Sequence, residues 1–303
     1  MDLKDRFFGA IMGSGIGDAL GAPTEFCKEA EIPNLFGKRV VDYYSNRAFQ
    51  LGEVTDDTQM MFCIARSLIN SKDINLNEIA DNFIYWYKKD GRGCGRLCRN
   101  AIKELKKGVP PTEAGYNAWL LTEKKSAGNG GVMRNACVPL FFMNDFDKLI
   151  KSTEDICKIT HYDPRCVLSC KAHSVAMYAL LHDKNPYDLV MANCSGIDTE
   201  FDEILNEAKN KKIIDYVLDE DNMGYTYLAI LVGLSAIFNY DNFEEPIFDI
   251  VNKGGDADTN AAVAGGLLGA KYGINAIPKY LVEKFYNYDE CLDIANKLYE
   301  NHK

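Results

Sequence analysis

Apolar positions return every three or four residues through most of this 303-residue chain, the spacing that gives an α-helix one buried face. The pattern runs over Phe7 to Leu20, Met60 to Leu68, Ile79 to Tyr87, Cys166 to Leu181, Tyr227 to Phe238 and Ala261 to Tyr272. It predicts an all-α fold. Strand-like stretches are confined to short pieces such as Arg39 to Tyr44, read as a small hairpin or an extended loop. No linker or low-complexity tract divides the chain, so residues 1–303 read as one domain.

The first helical stretch imitates a secretion signal, with Lys4 and Arg6 ahead of the apolar run Phe7 to Ile16. Two features argue against that reading. Gly9, Gly13, Gly17 and Gly21 recur every four residues, and Asp18 interrupts the run. A row of glycines on one helix face predicts the close approach of another backbone. No other apolar run reaches the roughly 20 residues needed to span a bilayer.

Composition narrows the partners. A net charge of −10 opposes binding to nucleic acid, whose phosphates are gripped by clustered Lys and Arg, and neither a nucleic acid nor a membrane is expected as partner. The ten cysteines are scattered through long helical stretches, which favours reduced thiols and a cytoplasmic location. Cys166, Cys170 and His173 share a helix face, as do Cys94 and Cys98, but neither group supplies the four ligands of a soft-metal site. Gly13 to Gly21 misses the dinucleotide pattern because Asp18 and Leu20 stand where its third glycine belongs. The phosphate-loop, zincin and nucleophile-elbow patterns are also missing.

Chemistry gathers at two acid-rich signals, Gly52-Glu53-Val54-Thr55-Asp56-Asp57-Thr58 and Gly254-Gly255-Asp256-Ala257-Asp258-Thr259-Asn260. Each puts carboxylates and a threonine hydroxyl where a loop enters an apolar helix. Thr55 reads as an N-cap with Asp56 and Asp57 in the first turn, and acids at a helix start are common for capping reasons alone. A second copy of the arrangement is harder to explain that way. Four converging carboxylates repel unless a divalent cation neutralises them, and oxygen-only donors suit Mg²⁺, Mn²⁺ or Ca²⁺. A calcium-stabilised helical interaction protein would need nothing beyond these acids.

Five stretches in order resemble the ADP-ribosylglycohydrolase family. They are Gly9 to Gly13 continuing through Gly17-Asp18-Ala19-Leu20-Gly21-Ala22-Pro23-Thr24-Glu25; Thr55-Asp56-Asp57-Thr58-Gln59-Met60; Gly128-Asn129-Gly130-Gly131-Val132-Met133-Arg134; Thr160-His161-Tyr162-Asp163-Pro164-Arg165; and Gly254 to Asn260. The resemblance implies a compact multi-helix domain around a central binuclear metal cleft. It assigns Thr55, Asp56, Asp57, Asp256, Asp258 and Thr259 to two divalent ions, Mg²⁺ before Mn²⁺, and makes Glu25 and Asp57 catalytic. Asn129, Gly130, Gly131, Met133 and His161 would hold ADP-ribose. Asp18 is placed beside substrate or given to the local fold, and Arg165 to the loop or core. Some relatives carry a further acid where Asp90 and Gly91 to Arg96 stand; here Gly93-Cys94-Gly95 has none.

The implied activity is metal-dependent removal of ADP-ribose from a modified protein, with ADP-ribosyl-arginine preferred as the linkage and a monomer as the working form. The alternatives are an ADP-ribosyl-serine or other O-linked hydrolase, and a non-catalytic ADP-ribose-binding or crystallin-like structural protein.

Overall fold

A computed structural model describes residues 1–46 and 48–302. Among the described residues the chain forms sixteen α-helices and four short 3-10 turns, with no strand. The periodic stretches become the helices Leu3–Gly21, Asp56–Ser71, Leu76–Lys89, Pro164–Leu181, Thr226–Asn239 and Ala257–Tyr272. Arg39 to Tyr44 is a loop. The Val40 backbone pairs with the side chain of Asn252 instead of with a neighbouring strand.

The centre of the molecule is an antiparallel pair, Leu3–Gly21 against Ala257–Tyr272. The glycine row sets how close the two backbones come. A Cβ built at Gly9, Gly13, Gly17 or Gly21 would lie 2.3, 2.3, 2.1 or 2.4 Å from the carbonyl oxygen of Gly269, Gly265, Ala261 or Ala257. Only hydrogen fits at those crossings, so the spacing seen in the sequence is a packing code. Both helices are buried on nearly every side, which is why neither shows a polar face.

Other helices wrap this pair. Thr226–Asn239 lies against Ala257–Tyr272 and Pro164–Leu181, while Tyr288–Asn301 covers Leu3–Gly21 and touches Asp56–Ser71. Asp163 caps the Pro164 helix by accepting from the Arg165 amide at 2.9 Å, with proline at the first helical position as its fixed φ favours. The antiparallel register brings the C-terminal end of Leu3–Gly21 beside the N-terminal end of Ala257–Tyr272. Residues some 240 positions apart in the sequence thereby share one end of the bundle.

Candidate active site

Three pieces of local structure build the acid cluster. Thr55 is extended and caps Asp56–Ser71, which leaves Asp56 and Asp57 in a first turn whose free amides favour negative charge. Asp18, fully buried, reaches across from the first helix. Its carboxylate accepts the Thr55 amide at 3.0 Å and the Thr58 amide at 3.1 Å, so it staples that helix start in place. The third piece begins at Gly254 and Gly255, both at positive φ, where added Cβ atoms would strike the carbonyls of Cys27 and Leu218. The helix after them starts at Ala257, earlier than the apolar period that begins at Ala261. Asp258, Thr259 and Asn260 therefore occupy its first turn.

The same glycine segment holds the loop of Glu25. The Phe26 amide donates to the Gly255 carbonyl at 2.7 Å and the Gly255 amide to the Cys27 carbonyl at 3.0 Å. Phe26 is exposed and has φ +62°, a left-handed conformation costly for a bulky residue. Glu25 is thus held at the cluster by backbone bonds on its C-terminal side.

Carboxylate oxygens of Asp18, Asp57 and Asp258 lie within 4.8 Å of one another, and so do those of Glu25, Asp256 and Asp258. The Thr55 hydroxyl donates to Asp57 Oδ2 at 3.1 Å, and the Thr259 amide donates to Asp258 Oδ1 at 2.9 Å. Asp57 Oδ1 is buried with no partner. Burial, followed by the neighbouring carboxylates, raises the Glu25 pKa to about 8 and the Asp56 pKa to about 7. Asp57 and Asp258 are pushed well above the ordinary carboxylate range for the same reasons. Arg92 is engaged with Glu53 and Asp90 and Lys253 with Glu29, which leaves Arg96 at the rim and the buried Arg134 as the cations near the acids. A largely buried set of oxygen donors, one of them unpartnered, with excess negative charge fits a hard divalent cation.

The opposite wall is the 3-10 turn Asn129–Gly131 with Met133 and His161. Asn129 Nδ2 donates to Asp256 Oδ2 at 2.7 Å, which ties this wall to the acids. The cleft between them encloses about 270 Å³ and opens to solvent. Asp56, Asp57, Asp256, Asp258, Thr259, Glu25, Asn129, Gly130, Met133 and His161 all line it. Thr55 sits just behind, bonded to Asp57. Gly131 also lies behind the surface, where its added Cβ would meet the sulfurs of Cys157 and Cys170 at 2.9 and 3.2 Å. It shapes the turn and does not line the cleft.

Phe26, Leu97, Ser126 and Gly224 also line the cleft and were not singled out by sequence, while Gly93, Gly95 and Arg96 bring to it part of the loop where relatives carry a further acid. Gly224 arrives through the bridge between Gly128 and Tyr225, a long-range pairing with no local signature. Asp90 is occupied by Arg92 and Gln59, and Arg165 by Asp163. The soft-metal candidates do not assemble: His173 Nδ1 meets the Asn135 amide, and the metal-type groups among the described residues are all carboxylate. All ten cysteines are free thiols.

An all-helical bundle with an acid-walled cleft at one end of its central helix pair defines a class of hydrolase scaffold. This chain belongs to the ADP-ribosylglycohydrolase family, whose profile it matches over residues 1–303. It is 28% identical over 308 residues to the ADP-ribosylarginine hydrolase Tri1 of Serratia proteamaculans (strain 568), covering 97% of this chain and 79% of that protein. It is also 28% identical over 289 residues to the ADP-ribosyl-[dinitrogen reductase] glycohydrolase of Rhodospirillum rubrum, covering 93% and 90%. The chicken (Gallus gallus) ADP-ribosylhydrolase ARH3 is 25% identical, covering 97% and 93%. A solved structure, an ADP-ribosylglycohydrolase-related protein complex, superposes with a TM-score of 0.83 at 26% identity, over 99% of both chains.

Proposed function

We propose that this ADP-ribosylglycohydrolase is a metal-dependent hydrolase of ADP-ribosyl-arginine on proteins. The observation that carries the reading is the meeting of Glu25 with Asp56, Asp57, Asp256 and Asp258 in one cleft whose far wall is Asn129, Gly130 and His161. Thr55, Asp56, Asp57, Asp256, Asp258 and Thr259 would hold two divalent ions, Mg²⁺ or Mn²⁺. Bound there, such ions supply positive charge to orient ribose hydroxyls and water. The arginine linkage is favoured by likeness to a protein named as an ADP-ribosylarginine hydrolase and by the negative wall, which attracts a guanidinium.

Breaking the bond from the anomeric carbon to the acceptor develops oxocarbenium character at that carbon. Glu25, whose carboxyl keeps its proton to about pH 8 without metal, exchanges a proton with the departing acceptor or the incoming water. Asp57, anchored at Oδ2 by the Thr55 hydroxyl, keeps its other oxygen free of any hydrogen-bond partner among the described residues. Asn129 holds Asp256 and, through it, links the two walls.

The test follows ADP-ribose release from arginine-modified and serine-modified proteins with Mg²⁺, with EDTA, and with Glu25→Gln plus Mg²⁺. Release from the arginine substrate alone, abolished by EDTA and reduced at least about 100-fold by the mutation, is expected. Release from the serine substrate alone would replace the linkage, and binding of ADP-ribose without release from either would replace the enzyme with a binder.

A further inference from the structure

Arg134 is fully buried, yet no carboxylate among the described residues forms an ion pair with it. Its Nη2 donates to the Thr160 hydroxyl oxygen at 2.6 Å, its Nη1 faces the sulfurs of Met60 and Cys98, and its guanidinium lies 4.7 Å from the centre of the Phe83 ring. A guanidinium only donates, so Thr160 Oγ1 is the acceptor in that bond. Thr160 then has one hydrogen to give. Nδ1 of His161 stands 2.8 Å from the same oxygen; the other atom in reach is the Cys98 sulfur, a weak acceptor that already takes Arg134 Nη1.

The direction of this chain decides which imidazole nitrogen carries a proton. If Nδ1 accepts from Thr160, the hydrogen of a neutral ring resides on Nε2. No protein acceptor for Nε2 exists among the described residues, and His161 lines the cleft beside the Asn129–Gly131 turn. An added Cβ at Gly130 would sit 2.7 Å from the ring's Cε1 and 3.0 Å from Nε2. Glycine at that position therefore lets the ring edge stand next to the turn.

We propose that Arg134 and Thr160 are positioning residues that lock His161 as the neutral Nε2–H tautomer, presenting one fixed N–H donor to an anionic oxygen of the ADP-ribose diphosphate. The assignment of the ligand rests on the hydrolase reading above; the tautomer does not. A neutral ring is consistent with its surroundings, because burial and then the Arg134 charge lower the His161 pKa to about 3. The arrangement gives the wall opposite the carboxylates a directed donor that carries no charge.

The test is long-range proton–nitrogen NMR on protein labelled with ¹⁵N-histidine, with His161 assigned by loss of its signals in His161→Gln. In the wild type at pH 7, without ligand, Nε2 is expected to carry the proton and Nδ1 to be bare. A protonated Nδ1, whether in the other tautomer or in an imidazolium, overturns the proposal without any variant being needed. Thr160→Val and Arg134→Met should each mix the tautomers, and Thr160→Ser should restore the wild-type pattern. An unchanged pattern in both disruptive variants overturns the relay.

Titration with ADP-ribose then tests the ligand. Thr160→Val should weaken binding about tenfold, the size of one directed hydrogen bond to a charged group, with Thr160→Ser near wild type. Unchanged affinity in the valine variant overturns the diphosphate assignment. If the wild type has the expected tautomer but does not bind ADP-ribose, the hydrolase reading fails and the relay stands.

Discussion

Glu25 keeps its proton to about pH 8 in the metal-free protein because it is desolvated and faces Asp256, Asp56 and Asp18. The same two causes act on Asp56 and Asp57, so the cluster is strained as a set and any neutralising charge relieves all of it. Asp56→Ala or Asp258→Ala should therefore lower both metal affinity, read by calorimetry, and activity, by at least about tenfold; full activity in either variant would remove the site. Thr55 and the Asp pairs were legible in the sequence because a cap and a first turn are local. Asp18 was named there with two roles left open, and its work, accepting two amides at a helix start nearly 40 residues away, shows only in the tertiary structure. Removing its charge with Asp18→Asn should loosen the start of Asp56–Ser71, seen as faster amide exchange at Thr55 and Thr58.

At the scale of elements, the central helix pair carries the site on its end. Gly17→Ala has to force apart two backbones at a point where Cβ would lie 2.1 Å from a carbonyl oxygen. The gain in helix propensity is about 1 kcal/mol, and overpacking against a backbone carbonyl costs about 3 kcal/mol, the upper end of the usual range, so a net loss of about 2 kcal/mol is expected in urea unfolding. Metal affinity should fall with it, because Asp18 is on the next residue. The loop from Asp90 to Gly95 is a second such element. Arg92 clamps it to Glu53 and Asp90, and Gly93, at positive φ, sits where an added Cβ would lie 2.1 Å from Asp56 Oδ1. Arg92→Ala should cost little stability, about 0–1 kcal/mol for a half-exposed pair, while raising the metal concentration needed for half-maximal activity.

For the whole molecule the acid cluster sets a pH dependence. The folded-state pKa values of Glu25, Asp56 and Asp18 are raised, to about 8, 7 and 6, above those of the unfolded chain near about 4. Between these limits the folded state binds more protons than the unfolded one, so metal-free stability falls as pH rises. The melting temperature in EDTA should decline from about pH 5 to about pH 8, whereas saturating Mg²⁺ should flatten or reverse that decline. A flat profile in EDTA would mean that the carboxylates are neutralised by something other than protons or metal.

Sequence alone determined the helical class, the glycine row and the two acid-bearing helix starts, because periodicity, close-packing residues and caps are written within a few turns of chain. Tertiary structure decided the rest. Which acids meet, that Gly131 supports the turn from behind, that Gly224 and Arg96 reach the cleft, and that His161 hangs from Arg134 through Thr160 all depend on contacts between distant segments. The meeting of Asp18 with Asp258 follows from the register in which two glycine-faced helices lock antiparallel, the other contacts from how the outer helices and loops wrap that pair, and no local pattern specifies which partner atom such packing will deliver.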